Sequence, residues 1–458
     1  MFNVPNDVRK LEIKRPTLVS WVVSLPETSE AIVTCFYQAK KVFTTRYFWQ
    51  TPDASFSLVG LGTCKEYVAQ DYRDMTISRE NLSKNTITNA KHSGTGPVFL
   101  GGFPFDKTVD SQKTWQELGN GYLFIPKIML TQTNDNRFLT FNMIVESNDD
   151  LDTQWENIVT LWNAVSQNKQ YESPTRQQMQ ANEIHVPEWL ETVELAMDEI
   201  NSDSDIRKIV LARELYIKAT EPFSVNDVLK NCLEQQENTY VFVLEHSENA
   251  FIGATPERLL LLQENNISTA CVAGSIPRGK TVEKDNQLGS QLLNDMKNQV
   301  EHQIVVDAIE RDMSEITETL SEKGQPSLLK NRDIQHLFYP FSGEKKADIS
   351  FFSAIEQLHP TPALGGQPKE LTTKWIREHE PINRGLYGAP IGWSSVILEE
   401  GEFAVGIRSA LLSGKSATLY AGCGVIADSI PQEELKETRV KFQPMLRAIG
   451  GEENVTSK

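Results

Sequence analysis

Strand patterns crowd together in this chain with no helix between them, and that constrains its architecture more than any other feature. Residues 239–245, 250–254, 257–263 and 267–273 each read as a short apolar strand, and 394–399, 402–411 and 416–421 do the same nearer the C-terminus. The sharpest pattern begins at Lys208, where KIVLARELYI alternates and puts Ile209, Leu211, Leu215 and Ile217 on one side. Helical spacing is confined to separate blocks. One covers about 187–201, through Trp189, Val193, Ala196 and Ile200. Another covers 286–320, with Leu292, Met296, Val300, Ile304 and Ala308 as its expected buried face. Strand blocks around helix blocks, without regular alternation, predict a large α+β fold.

The first 170 residues read as strands and turns, at 31–37, 42–49, 56–62, 97–105 and 137–147, punctuated by Gly60, Gly62, Gly101 and Gly102. Residues 166–186 are polar and poor in apolar side chains, so a loop or linker is expected there. Length alone allows two or three domains in 458 residues, although large mixed sheets exceed that prior. No internal repeat of fixed period is evident.

Composition excludes several classes of function. With 45 basic and 62 acidic residues the net charge is −17, which repels phosphate backbones and makes nucleic acid an unsuitable partner. A small anionic substrate then requires local arginine, lysine or metal to override the field. The five cysteines, an odd number without a CxxC pair, fit a reducing cytoplasm. The N-terminus lacks an apolar leader core, and no run is long enough to span a bilayer, so a soluble cytoplasmic protein without a membrane partner is expected.

Chemistry-bearing residues appear in several places. In YAGCGVIADSIPQEELKETRVK (420–441) a strand meets Gly422 and Gly424, and Pro431 then opens a helix. Glu434, Glu437 and Lys441 share one face of that helix, beside an apolar stripe of Leu435, Phe442, Leu446 and Ile449. Such a face suits an oxygen-rich anion held through a cation; it equally describes a solvated face with an ordinary Glu–Lys pair. Pro444 is expected to kink or end the helix. Glu301, in KNQVEH (297–302), stands either as a solvated boundary residue or as a second carboxylate across a cleft from Glu437. Mg²⁺, commonly held by one or two carboxylates plus substrate oxygens, would suit that pair. The seven histidines are scattered, which argues against zinc. Glu257, just after the turn in FIGATPERLL, either reaches a cleft or pairs with Arg258 at the surface. Lys208 is either a site residue or a lysine snorkelling from a strand end. AGSIPRG (273–279) and LHPTPALGG (358–366) are turn-rich loops with spare backbone donors. Arg408, at a polar position of the apolar strand VGIRSA, is a plausible carboxylate fork or an edge residue.

Together these segments resemble the chorismate-utilising enzymes. KIVLAREL, GATPERLL, AGSIPRG, KNQVEH, LHPTPALGG, RGLYGAPIGW (384–393), VGIRSALL (405–412) and the 420–441 segment follow the family order over the C-terminal 250 residues. Within the family, LHPTPALGG and KNQVEH look like isochorismate synthases. FWQTPD (48–53) and GGFPF (101–105) add a weaker likeness in the N-terminal half. The resemblance implies an α+β fold (an α/β/α sandwich) of two stacked antiparallel-rich sheets with helices outside. Residues 1–458 would form one chorismate-binding fold, with a variable subregion 1–180 and a catalytic region 187–455. It implies reversible conversion of chorismate to isochorismate with Mg²⁺, menaquinone-type rather than siderophore-type. Lys208 matches the lysine that activates water, and Glu257 the general acid. Glu301 and Glu437, with Glu434 close by, match the Mg²⁺ ligands. Tyr387, Arg408, Lys441, Gly422, Gly424, Gly274, Ser275 and His359 fall at substrate-binding positions. Val440 and Ser275 depart from the common Asn and Thr. No glutaminase domain is present in the sequence and no glutaminase subunit is expected; the protein would act as a monomer or homodimer. The competing expectations are a salicylate synthase, a siderophore-pathway isochorismate synthase, an aminating synthase and a non-catalytic chorismate sensor.

Overall fold

A computed structural model describes residues 4–26, 31–167, 177–321 and 324–451. Its strands pair antiparallel except Thr17–Leu25 with Thr86–Thr88. One layer runs from Thr17–Leu25 through Arg137–Val145, Tyr122–Thr133, Phe56–Val68, Arg46–Gln50, Tyr240–His246, Asn249–Thr255, Ser409–Ser413 and Ser416–Val425 to Lys208–Ala219. The second runs from Val98–Gly102 through Pro390–Ser395, Gly401–Val405, Arg258–Gln263 and Asn266–Pro277 to Ile334–Lys345. They join at Tyr122–Thr133, whose first half pairs with Val98–Gly102 and whose second half pairs with Arg137–Val145.

Both faces of each layer are covered, so the strands are apolar on both sides. Tyr47, Trp49, Phe242 and Phe251 point between the layers against Ile391 and Trp393. Phe56 stacks on Trp393 with ring centres 5.1 Å apart, and the Tyr47 hydroxyl donates across the gap to the Gly392 carbonyl at 2.8 Å. The alternate residues, Phe48, Val241, Val243 and Ile252, face helices Ile32–Gln38, Leu151–Ser166, Val225–Gln235 and Pro431–Ala448. The second layer backs onto Tyr72–Ser83, Met296–Ile316, Phe351–Leu358 and Lys369–His379. Each large buried side chain in these cores is worth about 1.5–3 kcal/mol. The expected stacked α+β architecture with helices outside is the one observed.

Several local expectations are corrected. Residues 31–37 form a helix, because Ile32, Cys35 and Phe36 lie one turn apart and bury together. The polar segment ends in a strand, Met179–Glu183, paired to the edge of Lys208–Ala219; residues 168–176 lie outside the described residues. The long helix divides at Asp295, whose side chain accepts from Asn298 N and caps Met296–Ile316, and 317–320 is a strand. Of the expected buried face, Leu292 and Ala308 are buried while Met296 and Val300 are 72% and 52% exposed; Val305, Ile309, Met313 and Ile316 join Ala308 on the buried side of the second helix. The strand expected over 402–411 splits at 406–408. Helix Pro431–Ala448 runs through Pro444 without ending there, packed by Leu435, Phe442, Met445 and Leu446.

Candidate active site

A cavity of about 260 Å³ opens where the ends of Lys208–Ala219 and Ser416–Val425 meet the N-terminal parts of Met296–Ile316 and Pro431–Ala448. Alternation explains the wall. Ile209 and Leu211 enter the core, so Lys208, Val210 and Ala212 face the cavity. Gly422, Cys423 and Gly424 lie beside them on the paired strand. Glu434, Glu437 and Lys441 line it from their shared helical face, as the spacing predicts.

Lys208 is 1% exposed and its Nζ donates to Glu301 Oε1 at 2.8 Å, so it is not snorkelling into solvent. Gly424 makes this pair possible: a β-carbon there would lie 2.6 Å from Lys208 Cε and 2.9 Å from Glu301 Oε1. Lys441 Nζ donates to the Gly422 carbonyl at 2.8 Å and reaches Glu437 Oε1 at 2.5 Å.

Glu257 is buried, and its carboxyl has no hydrogen-bond partner among the described residues. Desolvation pushes its pKa up to about 7, opposed by the charges of Arg408, Lys208 and Lys441. The surface pairing with Arg258 does not form, because the Arg258 guanidinium binds Glu402 at 3.0 Å and the Tyr240 hydroxyl at 2.7 Å. Arg408 is not a strand residue: it sits at φ +48° in the break before Ser409–Ser413. Its guanidinium lines the cavity with no ion pair among the described residues, and burial lowers its pKa. Tyr387 is buried beside it, and desolvation raises its pKa, so its hydroxyl stays protonated.

Gly274 and Ser275 also line the cavity, at a bulge where Gly274 takes φ +79°. Ser275 N donates to Asn298 Oδ1 at 3.2 Å, and Ser275 Oγ lies 2.8 Å from His336 Nδ1. The structure does not bring His359 to the cavity wall: its Nε2 lies 2.9 Å from the Phe105 carbonyl. Sequence reading singled out neither Asn298, His336, Arg384 nor Cys423, all of which line the cavity. Asn298 and Arg384 lie in quoted motifs; His336 carries no local signal beyond a polar residue in an apolar strand. Burial and the positive charges of Arg408 and Lys441 hold the His336 imidazole neutral.

Among the described residues no three His, Cys, Asp or Glu side chains converge into a metal cage. Burial keeps the Cys423 thiol protonated, so the cavity offers hard carboxylate oxygens rather than soft ligands.

Residues 6–450 match the family model described as chorismate binding enzyme. The isochorismate synthase MenF of Bacillus subtilis is 38% identical over 455 residues, covering 96% of this chain and 95% of that protein. The salicylate biosynthesis isochorismate synthase of Pseudomonas aeruginosa is 29% identical over 89% of this chain and 86% of its own. The solved structure of MenF, the menaquinone-specific isochorismate synthase from Escherichia coli, superposes with a TM-score of 0.78 over 97% of both chains at 24% identity, a likeness of fold.

Proposed function

The chain belongs to the chorismate-binding enzymes, and from that premise we propose that it is an isochorismate synthase of the menaquinone type, interconverting chorismate and isochorismate. One observation carries the reading above all: a buried carboxyl that holds its proton near neutrality, Glu257, faces the same cavity as a buried lysine, Lys208. A carboxyl that can give a proton and an amine that can take one, facing one cavity, are what general acid–base chemistry needs.

In this scheme Arg408, Lys441, the Tyr387 hydroxyl and the backbone at Gly422 and Gly424 receive the substrate carboxylates. Arg408, half-buried in the cavity wall with no ion pair among the described residues, is the strongest support for an anionic ligand. Gly274 and Ser275 line the same cavity. Lys208 takes a proton from the water that attacks C2, the ring double bonds shift, and Glu257 gives its proton to the C4 oxygen. One water enters and one leaves, so the change is an isomerisation. In the reverse direction the two residues exchange tasks.

Glu301 and Glu437, with Glu434 beside them, are the residues that would hold Mg²⁺, whose charge, when bound, offsets repulsion between acidic walls and a dianionic substrate. The donors fit it: they are oxygens from two helices, and Mg²⁺ takes few protein carboxylates, completing its shell with water and substrate. Five free cysteines fit a reducing cytoplasm. The reading needs no glutaminase subunit; the protein would act as a monomer or homodimer, with 1–458 one fold comprising a variable 1–180 and a catalytic 187–455.

The test is a chromatographic product assay on purified protein with chorismate, with and without Mg²⁺. An isochorismate peak that chelator removes is expected. Salicylate with pyruvate would move the reading to a lyase, and no product with or without ammonium would refute it.

A further inference from the structure

Arg384 lines the cavity and invites assignment as another anion-binding residue, but four of its five N–H groups are already committed within the protein. Its Nε and Nη2 grip Glu380 Oε1 and Oε2 at 2.7 and 2.6 Å. Nη2 also donates to the Val210 carbonyl at 2.7 Å, and Nη1 to the Leu364 carbonyl at 2.9 Å. Its guanidinium lies 4.2 Å from the Phe105 ring centre. Glu380 Oε2 in turn accepts from Ala212 N at 2.7 Å. Arg384 and Glu380 side chains are 5% and 2% exposed.

The backbone of Lys208–Ala219 shows what this arrangement does. One edge pairs along its length with Ser416–Val425. The other edge pairs with Met179–Glu183 only from Leu215 onward, and with Gly366–Gln367 only at Lys208 and Ile209. Between these lies a gap, and a buried backbone group left without a partner there is costly. Gly365 O fills it for Val210 N; Arg384 fills it for the Val210 carbonyl, and Glu380 for Ala212 N. The ion pair stands in for a missing strand directly after Lys208. The same Arg384 turns the chain into Tyr387, whose N–H donates to the Arg384 carbonyl at 2.7 Å.

We propose that Glu380 and Arg384 are positioning residues for the reaction: their buried fork holds the strand edge that aims Lys208, and Arg384 does not read the substrate. The inference rests on the isochorismate synthase reading for its kinetics but not for its geometry. Glu380 is the discriminating residue, because it stays out of the substrate cavity.

The experiment measures kcat and KM for chorismate in Glu380→Gln, Arg384→Lys and the charge-neutral double variant Glu380→Gln/Arg384→Met. The double variant leaves no lone buried charge and so guards against simple misfolding. Amide exchange of the peptide spanning 206–214 is followed in each. All three are expected to lose kcat by about 100-fold with KM within about threefold, as for misplacement of a catalytic group. The double variant should lose no more than the worse single, and exchange at Ala212 should rise. A KM increase in the Arg384 variants alone, with kcat kept, would overturn the proposal and make Arg384 a substrate contact. Unchanged kcat in the folded double variant would overturn it too. Should the wild type make no isochorismate, the functional reading fails instead, and exchange still decides: unchanged protection at Ala212 in the variants would refute the clamp.

Discussion

Glu257→Gln separates the acid's chemical role from its thermodynamic one. In the folded protein desolvation raises the Glu257 pKa from 4.5 to about 7. The folded state therefore binds the proton more tightly than the unfolded chain. Stability from this group is present below pH about 4.5 and is lost as pH rises through about 7. At 1.36 kcal/mol per unit, the ionised carboxylate costs the folded protein about 3 kcal/mol above that window. Glutamine keeps the shape and removes the titration. The variant should gain on the wild type as pH rises, by about 2 kcal/mol more at pH 8.5 than at pH 5.5. Chemical denaturation of both proteins at the two pH values reads the gap directly. Turnover should fall about 10²–10⁴-fold, the usual worth of a general acid, and wild-type turnover should decline above pH about 7 as Glu257 loses its proton. A stability gap that does not change with pH would refute the burial argument. Retained turnover in Glu257→Gln would refute the acid.

Lys208→Ala should lower kcat by about 10³-fold while circular dichroism stays native, because Glu301 keeps 21% exposure and can be hydrated. Glu437→Gln should raise the Mg²⁺ concentration for half-maximal rate by about 10-fold or more; its side chain is 41% exposed, so melting temperature is the control and should hold. Gly424→Ala places a methyl 2.6 Å from Lys208 Cε, a flexible atom that can yield. That predicts little change in melting temperature and a kcat loss of about 10-fold or more, measured by product chromatography.

The C-terminal strands were legible because their apolar runs end at turn residues, and because two covered faces demand runs rather than strict alternation. The Glu434–Glu437–Lys441 face was legible because helical spacing is local. Lys208 was legible only through the family resemblance and not from its local pattern: whether a strand-end lysine snorkels or enters a cavity depends on Gly424 and Glu301, both distant in sequence. Arg408 read as a strand residue because nothing in VGIRSA announces a left-handed backbone at a non-glycine position. Glu380 carried no signal in the sequence, and only the gap in the neighbouring strand edge gives its pair with Arg384 work inside the protein. The division at Asp295 did have a local signal, an aspartate three residues before Asn298, outweighed by the apolar spacing on either side.

The central claim is that water attacks C2 while the C4 hydroxyl departs, with Lys208 and Glu257 moving the protons. Conversion of chorismate in water enriched in oxygen-18, followed by mass spectrometry of isochorismate, tests it most directly. The account predicts one solvent oxygen in the newly formed product. Isochorismate formed without solvent oxygen would mean that the hydroxyl migrates within the substrate, and would contradict it.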